Sequence, residues 1–452
     1  MLLTPFPTQT SGAKFLANRR NALLADEPRV GKTGTAIMAC DYNLEENVLV
    51  VTTASGRPVW ARAFDQWSTF GRSLQIVTTP KPVIAQAVVV GWPAVANPAV
   101  RVELLKRRWD RIIFDEAHNA KNFDAKRTQA AYGVPVDDGS ALAAASSLAA
   151  KAAGVWCLTG TPIPNAPNDL YPMMRALCPD RLAAVPEQDW PDVTRYQDFL
   201  HRYCVVRMKK ISNFNRIPVV VGGRNLEELR ARLGDFMLRR TQQDVGIEAP
   251  IYETLPLAVS AVKRRLAEAN VDAAAVLAAA EAGDTRTLEM HLGPLRRITG
   301  ELKAAAVLEA VQDEFDGGLD KIVLAYWHKD VGRVLRDGLA RHGVVGIDGS
   351  TPASARGEAE QRFLRDPKCR VFLGQIQAAG EAIDLSSSAE MIFVETSLVP
   401  KDMAQMSKRI TNHTQRRQPR VRVAVLQGSI DEALEEVLLR KWSAIREVLT
   451  QC

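Results

Sequence analysis

The stretch LLADEPRVGKTGTAI, residues 23–37, decides how this chain is read. An apolar run leads to Gly31-Lys32-Thr33, and helix-forming residues follow from Thr35 to Met38. A phosphate loop needs backbone N–H groups around phosphate oxygens, a lysine that reaches the β- and γ-phosphates, and a hydroxyl for Mg²⁺. Gly31, Lys32 and Thr33 supply those parts, and the N-terminus of the following helix would point its dipole at the anion. The strict pattern has a glycine five residues before Gly31, where this chain has Asp26. Gly-Lys-Thr alone also fits an ordinary turn that opens a helix, so the rest of the chain must decide.

With 452 residues and 46% hydrophobic content the chain can bury two or three cores, which excludes a disordered protein. A net charge of +6 suits a polyanionic partner without establishing one. Six cysteines, at 40, 157, 178, 204, 369 and 452, include no C-x-x-C pair, so neither a zinc ribbon nor a disulfide framework is indicated and a reducing cytoplasm is the simplest compartment. MLLTPFPTQT lacks the pattern of a signal peptide, and no segment approaches the ~18 uninterrupted apolar residues of a membrane span. A soluble, cytoplasmic protein is expected.

Short apolar runs recur at 48–51, 88–90, 112–114 and 155–158, and again at 322–326, 344–347, 371–374, 391–394 and 421–426. Such runs read as buried parallel strands, so the fold class is α/β with two sheets. Between them, roughly 179–250, aromatic and basic sequence such as YQDFLHRYCVVRMKK reads as helical. The Ala-rich stretches 141–154 and 271–283 are good helix formers and read as scaffold helices.

The second chemical signal is RIIFDEAHNAKN, residues 111–122. An apolar strand that ends in two carboxylates puts Asp115 at the sheet's carboxyl edge, where it can hold Mg²⁺, with Glu116 placed to polarise the attacking water. CLTGTPIPNAP follows from Cys157. Three strand-end motifs then stand in order.

In their order these motifs resemble the superfamily 2 helicases and, within them, the Swi/Snf-like DNA-dependent ATPases. That family commonly places an acidic pair before the phosphate loop, as Asp26 and Glu27 stand here. TPFPTQTSGAKFLANR is similar to its opening segment, VLVVTTASGRPVWARAFDQW to its next motif, and RNLEELRARLGDFMLRRTQQDV to the linker with paired arginines, here Arg239 and Arg240. IDGSTPASARGEAEQRF, VFLGQIQAAGEAIDL and AQMSKRITNHTQ are similar to the motifs of the second lobe, and RYCVVRMKK, GGRNLEEL and GELKA resemble the annealing-helicase branch.

The resemblance implies two RecA-like parallel-sheet lobes with a helical insert: residues 1–178, an insert or linker at 179–250, and 251–452. ATP would be held by Gln9, Val30, Gly31, Lys32, Thr33, Gly380 and Asp384, with Mg²⁺ on Thr33 and Asp115. Lys32, Asp115, Glu116 and Arg409 would carry catalysis. His118, Thr159, Gly160 and Thr161 would relay nucleotide state. Thr53, Ser55, Arg57, Ser350 and Thr351 would contact DNA, duplex, single-stranded or branched, through its phosphates. Helix capping is a competing role for these hydroxyls. Closing of the lobes on ATP would drive movement along the strand. The compact chain fits a bacterial or bacteriophage source.

Two departures stand out. Pro28 and Arg29 make the phosphate loop stiffer and bulkier than usual. In the last motif the family's second arginine is Asn412, which cannot carry the charge that an arginine finger brings. Asn412 keeps open a weakly hydrolysing or non-hydrolysing DNA-binding module as an alternative. An RNA-dependent ATPase is a second alternative, disfavoured by the TGTP and IDGSTP contexts. The basic stretch 408–422 fits either phosphate contact or a solvated loop. Trp60 and Trp67 read as core packing, and His201, His291 and His342 lack metal-ligand spacing.

Overall fold

Runs of β-branched and apolar residues bury themselves by pairing side by side, and both halves of the chain do this in parallel. The computed structural model describes residues 2–136, 141–143, 146–160, 162–163, 166–210, 216–258, 285–379, 383–397, 400–413, 415–427 and 432. The chain divides into two units, Met1–Val245 and Gly246–Cys452.

In the first unit the strands are β1 (Asn21–Leu24), β2 (Val48–Thr52), β3 (Leu74–Val77), β4 (Ala87–Gly91), β5 (Trp109–Asp115), the hairpin β6 (Val134–Val136) and β7 (Ala141–Ala143), β8 (Ala152–Leu158), the hairpin β9 (Cys204–Lys210) and β10 (Arg216–Gly223), and β11 (Met237–Leu238). Seven of them form one sheet in the order β11-β1-β8-β5-β2-β4-β3. Every pairing in it is parallel. Successive side chains of a strand point to opposite faces. Accordingly Leu49, Val51, Ile112 and Phe114 enter one core, while Val48, Val50 and Ile113 enter the other. Helices Pro7–Ala17, Lys32–Tyr42 and Gly56–Trp67 cover the second face.

The second unit carries β12 (Ile251–Leu257), β13 (Ile322–Tyr326), β14 (Val344–Ile347), β15 (Val371–Gln375), β16 (Glu390–Phe393) and β17 (Arg420–Leu426), ordered β12-β17-β16-β13-β15-β14. Its pairings are again all parallel. Helix Thr285–Asp316 packs on it through Ala304, Val307, Val311 and Phe315, the three-and-four spacing of one helix face.

Two expectations need correction. The described part of the Ala-rich segment 141–154 is not a scaffold helix: it supplies β7, a 3-10 turn at Ala149–Lys151 and the start of β8. β8 pairs with both β1 and β5, and ladder bonds on both sides outweigh alanine's helix preference. The helical reading of YQDFLHRYCVVRMKK holds only for helix Tyr196–Tyr203, after which Val205 and Val206 continue as the extended β9. Residues 179–245 mix helices with a hairpin, belong to the first unit, and add β11 to its sheet. The Ala-rich stretch 271–283 lies outside the described residues.

Cys40, Cys157, Cys178, Cys204 and Cys369 are buried free thiols. Burial pushes Cys157 and Cys178 up to about 12, which leaves them unreactive. Among the described residues no helix is long and apolar enough to cross a membrane.

Candidate nucleotide site

Ligands of open parallel sheets bind at the carboxyl ends of the strands, and the sequence-predicted residues of the first unit converge there. After β1 the chain turns through Asp26–Val30, and Gly31 caps helix Lys32–Tyr42 with φ 98° and ψ 28°. This left-handed backbone favours glycine. A Cβ on Gly31 would also meet Gln9 Nε2 at 2.4 Å. Gln9 is buried, donates from Nε2 to the Gly31 carbonyl (3.3 Å) and accepts from the Phe6 N–H (3.0 Å). Lys32 donates its ammonium to the carbonyls of Asp26 (2.7 Å) and Glu27 (3.2 Å). Thr33 is half-buried in the first turn of the helix, and Val30 is fully buried beneath the loop.

The acidic pair before the loop has a mechanical explanation. Asp26, 0% exposed, accepts from Arg240 Nε at 3.1 Å on both carboxylate oxygens and forms an ion pair with Arg240 Nη2. Arg240 also donates to the Thr8 carbonyl and to Ser11 Oγ (3.3 Å). Glu27 Oε2 accepts from the Gln242 N–H (2.9 Å), and Gln242 Nε2 donates to the Pro28 carbonyl (2.9 Å). The segment after β11 thus clasps the loop from outside. With these bonds the loop holds Arg29 at φ 75°, a conformation that costs a non-glycine residue about 1–3 kcal/mol. The stiff Pro28-Arg29 pair is braced rather than loose. The acidic pair Asp26-Glu27 and the paired arginines are each visible in the sequence, but not that Asp26 meets Arg240, nor that Gln242 holds the loop.

Asp115 ends β5 next to the loop. Its Oδ2 accepts from Thr52 Oγ1 and Trp60 Nε1, both at 2.7 Å, and its carbonyl accepts from Trp92 Nε1 (2.9 Å). Burial first, and then the charge of Glu116, raises the Asp115 carboxyl above its usual range, against the Trp60 and Thr52 hydrogen bonds and the Lys32 charge. Trp60 is core packing, as its sequence suggests, and it also orients this carboxylate. Glu116 sits at φ 47°, its carbonyl held by Asn119 N and Nδ2 (2.9 and 3.0 Å). Its Oε2 lies 3.3 Å from His118 Nδ1, which in turn meets Thr159 Oγ1 at 3.0 Å. Gly160 packs on the phosphate loop, since a Cβ there would meet Pro28 Cδ at 2.8 Å. Lys32, Asp115, Glu116, His118, Thr159 and Gly160 therefore line adjoining strand ends, and Thr161 lies outside the described residues.

The donor set fits Mg²⁺. No group of three or more His, Cys, Asp or Glu side chains among the described residues could hold a metal alone. Mg²⁺ is characteristically held by one or two carboxylates or hydroxyls together with substrate phosphates and water, and Asp115 and Thr33 match that mode.

The remaining predicted residues are placed as follows. Thr53 Oγ1 accepts from the Gly56 N–H (3.1 Å) and meets Ser55 Oγ at 3.1 Å, so these hydroxyls brace the start of helix Gly56–Trp67. Arg57 Nε donates to the Ala54 carbonyl (3.3 Å). In the second unit Asp348 Oδ1 accepts from Ser350 N (2.8 Å), Ser350 Oγ (2.6 Å) and Thr351 Oγ1 (3.1 Å), and these bonds, that from Ser350 Oγ foremost, hold its carboxyl below the usual range. Asn412 Nδ2 donates to Asp384 Oδ2 and Ser386 Oγ, each at 3.3 Å. Arg409 is buried, 8% exposed, and its carbonyl accepts from the Leu385 N–H (3.0 Å). Gly380 lies outside the described residues. The basic stretch 408–422 is partly neutralised: Arg417 pairs with Asp320 (3.4 Å), Arg420 with Glu390 (3.0 Å) and Arg422 with Glu314 (2.7 Å).

A parallel α/β unit with a phosphate loop, an acidic strand end and a Thr-Gly contact defines a nucleotide-binding protein of the phosphate-loop class. The SNF2-related domain matches residues 8–293, and the chain belongs to that family. The bovine DNA annealing helicase and endonuclease ZRANB3 is 23% identical over 450 residues, covering 96% of this chain and 40% of that protein. The Xenopus tropicalis SWI/SNF-related matrix-associated actin-dependent regulator of chromatin subfamily A-like protein 1 is 27% identical over 447 residues, covering 96% of this chain and 44% of that protein. The chain thus spans less than half the length of these curated relatives. The SWI2/SNF2 ATPase core of Sulfolobus solfataricus, solved in complex with dsDNA, aligns over 100% of this chain and 95% of its own, with 19% identity and a TM-score of 0.43.

Proposed function

We propose that the protein is an ATP-driven DNA translocase of the annealing-helicase kind, which hydrolyses ATP and couples closing of its two units to movement along the phosphate backbone of duplex or branched DNA. Family membership and the names of the relatives support the class of activity. The observation that carries the reading is the line from Glu116 through His118 to Thr159, beside Lys32 and Asp115. In this reading Lys32 exchanges its loop carbonyls for phosphate oxygens of ATP. Asp115 and Thr33 would hold Mg²⁺, which when bound would neutralise phosphate charge. Glu116 takes the proton of the attacking water on its carboxylate. His118 and Thr159 pass the state of that carboxylate to the TGTP loop. Arg409 supplies positive charge to the transferring phosphoryl group, a role that Asn412, neutral and bonded to Asp384, does not share.

The test is ATP turnover measured without nucleic acid and with single-stranded, duplex and forked DNA and RNA. Lys32→Ala should weaken nucleotide binding and abolish turnover, whereas Glu116→Gln should keep binding and lose hydrolysis. Arg409→Ala should cut DNA-stimulated turnover by ~10³-fold. Parental turnover in Glu116→Gln sinks the assignment. A parent silent on every nucleic acid favours the non-hydrolysing DNA-binding reading that Asn412 motivates, and preferential stimulation by RNA favours an RNA-dependent ATPase.

A further inference from the structure

The phosphate loop is held from two sides, and nucleotide binding as proposed above releases one of them. Inside, the Lys32 ammonium donates to the carbonyls of Asp26 (2.7 Å) and Glu27 (3.2 Å). When that ammonium turns to phosphate oxygens, both carbonyls lose this donor, and the path of the loop rests on its outer bonds. Those come largely from the residues that end the first sheet. The Ala25 N–H donates to the Leu238 carbonyl (2.7 Å) and the Glu27 N–H to the Arg240 carbonyl (2.9 Å), so the start of the loop continues the pairing of β1 with β11.

Among the residues after β11, Gln242 reaches furthest along the loop. It is 3% exposed; its N–H donates to Glu27 Oε2 (2.9 Å) and its Nε2 to the Pro28 carbonyl (2.9 Å), so one residue ties two consecutive loop residues. At the other end Gln9 Nε2 holds the Gly31 carbonyl (3.3 Å). Between these two clamped carbonyls lies Arg29, at φ 75°, followed by Gly31 at φ 98°. Glycine takes a left-handed backbone at little cost, and arginine does not. Turns in which successive backbone N–H groups converge make anion-binding concavities. Arg29 is thus the residue at which the loop would relax first, and the Gln242 amide sits on the carbonyl directly before it.

A loop already held in its binding conformation needs no reorganisation when the ligand arrives. Without the Gln242 amide the Pro28 carbonyl loses this donor, and Arg29 can leave the left-handed region while the site is empty. Binding must then restore the strain. Because the strain is released in the free protein and returns in the complex, the loss falls on nucleotide affinity and not on the chemical step.

We propose that Gln242 is a positioning residue for nucleotide phosphates: through the Pro28 carbonyl and the Glu27 carboxylate it keeps the loop in its anion-cradling conformation, and so sets the affinity for the phosphates that nucleoside di- and triphosphates share. This inference rests on the ATP-binding reading above. Gln242 acts through the loop and not by touching the nucleotide. Simple support of the fold, in which the two bonds stabilise the first unit and leave nucleotide affinity untouched, is the competing explanation.

The experiment titrates the full chain with Mg-ADP and with the non-hydrolysable ATP analogue AMP-PNP by calorimetry, and measures kcat and KM for ATP on duplex DNA. Gln242→Met keeps the length of the side chain and removes the donor. It should bind both nucleotides about 5- to 100-fold more weakly, the factor that the strain of one left-handed non-glycine residue represents. KM for ATP should rise by the same factor while kcat at saturation stays within about 2-fold of the parent, the pattern of lost uniform binding. Gln242→Glu, which sets an acceptor against the Pro28 carbonyl, should bind at least as weakly as Gln242→Met. Tyr171→Phe removes a buried donor from the Thr194 carbonyl (2.6 Å) in the same unit; it should lower the melting temperature and keep parental affinity. Should Gln242→Met fail to fold, Glu27→Ala, which removes the acceptor of the Gln242 N–H, takes its place in the titration with the same expected loss. Parental affinity and KM in the Gln242 variants overturn the inference and leave the ATPase reading standing. So does an equal affinity loss in Tyr171→Phe, which assigns the effect to general softening of the unit, and so does a fall in kcat without a rise in KM. A parent that binds neither nucleotide overturns both the inference and the reading on which it rests.

Discussion

Replacing Arg240 with alanine should destabilise the first unit by about 3–5 kcal/mol, the usual cost of removing one partner of a buried ion pair. The structure sets the size of the effect. Arg240 Nε lies 3.1 Å from both carboxylate oxygens of Asp26, and at an effective dielectric near 20 a unit pair at that distance attracts by about 5 kcal/mol. Desolvation offsets much of this in the intact pair. In the variant much of the offset remains while the attraction is gone, because Asp26, 0% exposed in the parent, loses its guanidinium partner. The donations to the Thr8 carbonyl and Ser11 Oγ are lost as well.

Urea unfolding followed by tryptophan fluorescence reads this unit well, since Trp60, Trp67, Trp92, Trp109, Trp156 and Trp190 all precede residue 246. The diagnostic comparison is the Asp26→Ala, Arg240→Ala double variant. With no orphaned charge left it should be more stable than Arg240→Ala alone. An Arg240→Ala midpoint within about 0.5 kcal/mol of the parent refutes the reasoning. So does a double variant less stable than the single one, which would mean that the pair does not act as a unit.

Two further outcomes follow from the same geometry. Trp60→Phe removes the N–H donor 2.7 Å from Asp115 Oδ2, and a hydrogen bond to a charged group is worth about 1.5–3 kcal/mol, so half-saturation of turnover by Mg²⁺ should rise about 10- to 100-fold; an unchanged Mg²⁺ titration removes Trp60 from the site. Burial raises the Glu228 carboxyl, but the bonds from Arg202, Tyr203 and Arg232 outweigh it and hold the group below its usual range, so its stabilisation is present above the unfolded-state value and is lost as pH falls through the folded one. Glu228→Gln should therefore melt lower than the parent near about pH 7, with the gap closing toward about pH 3, and a constant gap in melting temperature across that range contradicts the assignment.

Much of the geometry of the candidate site was legible because the motifs that form it are local. Gly31, Lys32 and Thr33 are consecutive, and so are Asp115 and Glu116; the first set follows an apolar run across the short segment Asp26–Val30 and the second follows one directly. Nearness in sequence fixed nearness in space for these groups. The braces around them were not legible. Asp26 and Arg240 are 214 positions apart, and Thr52, Trp60 and Asp115 come from three different elements. Nothing in an isolated Asp-Glu pair reveals which cation it will meet.

The sequence by itself determined the alternation of buried strands and helices, the two parallel sheets and the order of the strand-end motifs, because side-chain hydrophobicity and spacing act over a few residues at a time. Only the tertiary structure decided the state of Ala152–Leu158, where an alanine-rich start became a central strand between β1 and β5. It likewise decided that Cys204–Lys210 leaves the helix before it as a strand paired with Arg216–Gly223, and that Met237–Leu238 closes the edge of the first sheet against β1. Local propensities differ by a few tenths of a kcal/mol per residue, whereas a strand between two partners gains ladder bonds and burial on both faces. At such positions the long-range partner, which the local sequence does not name, sets the outcome.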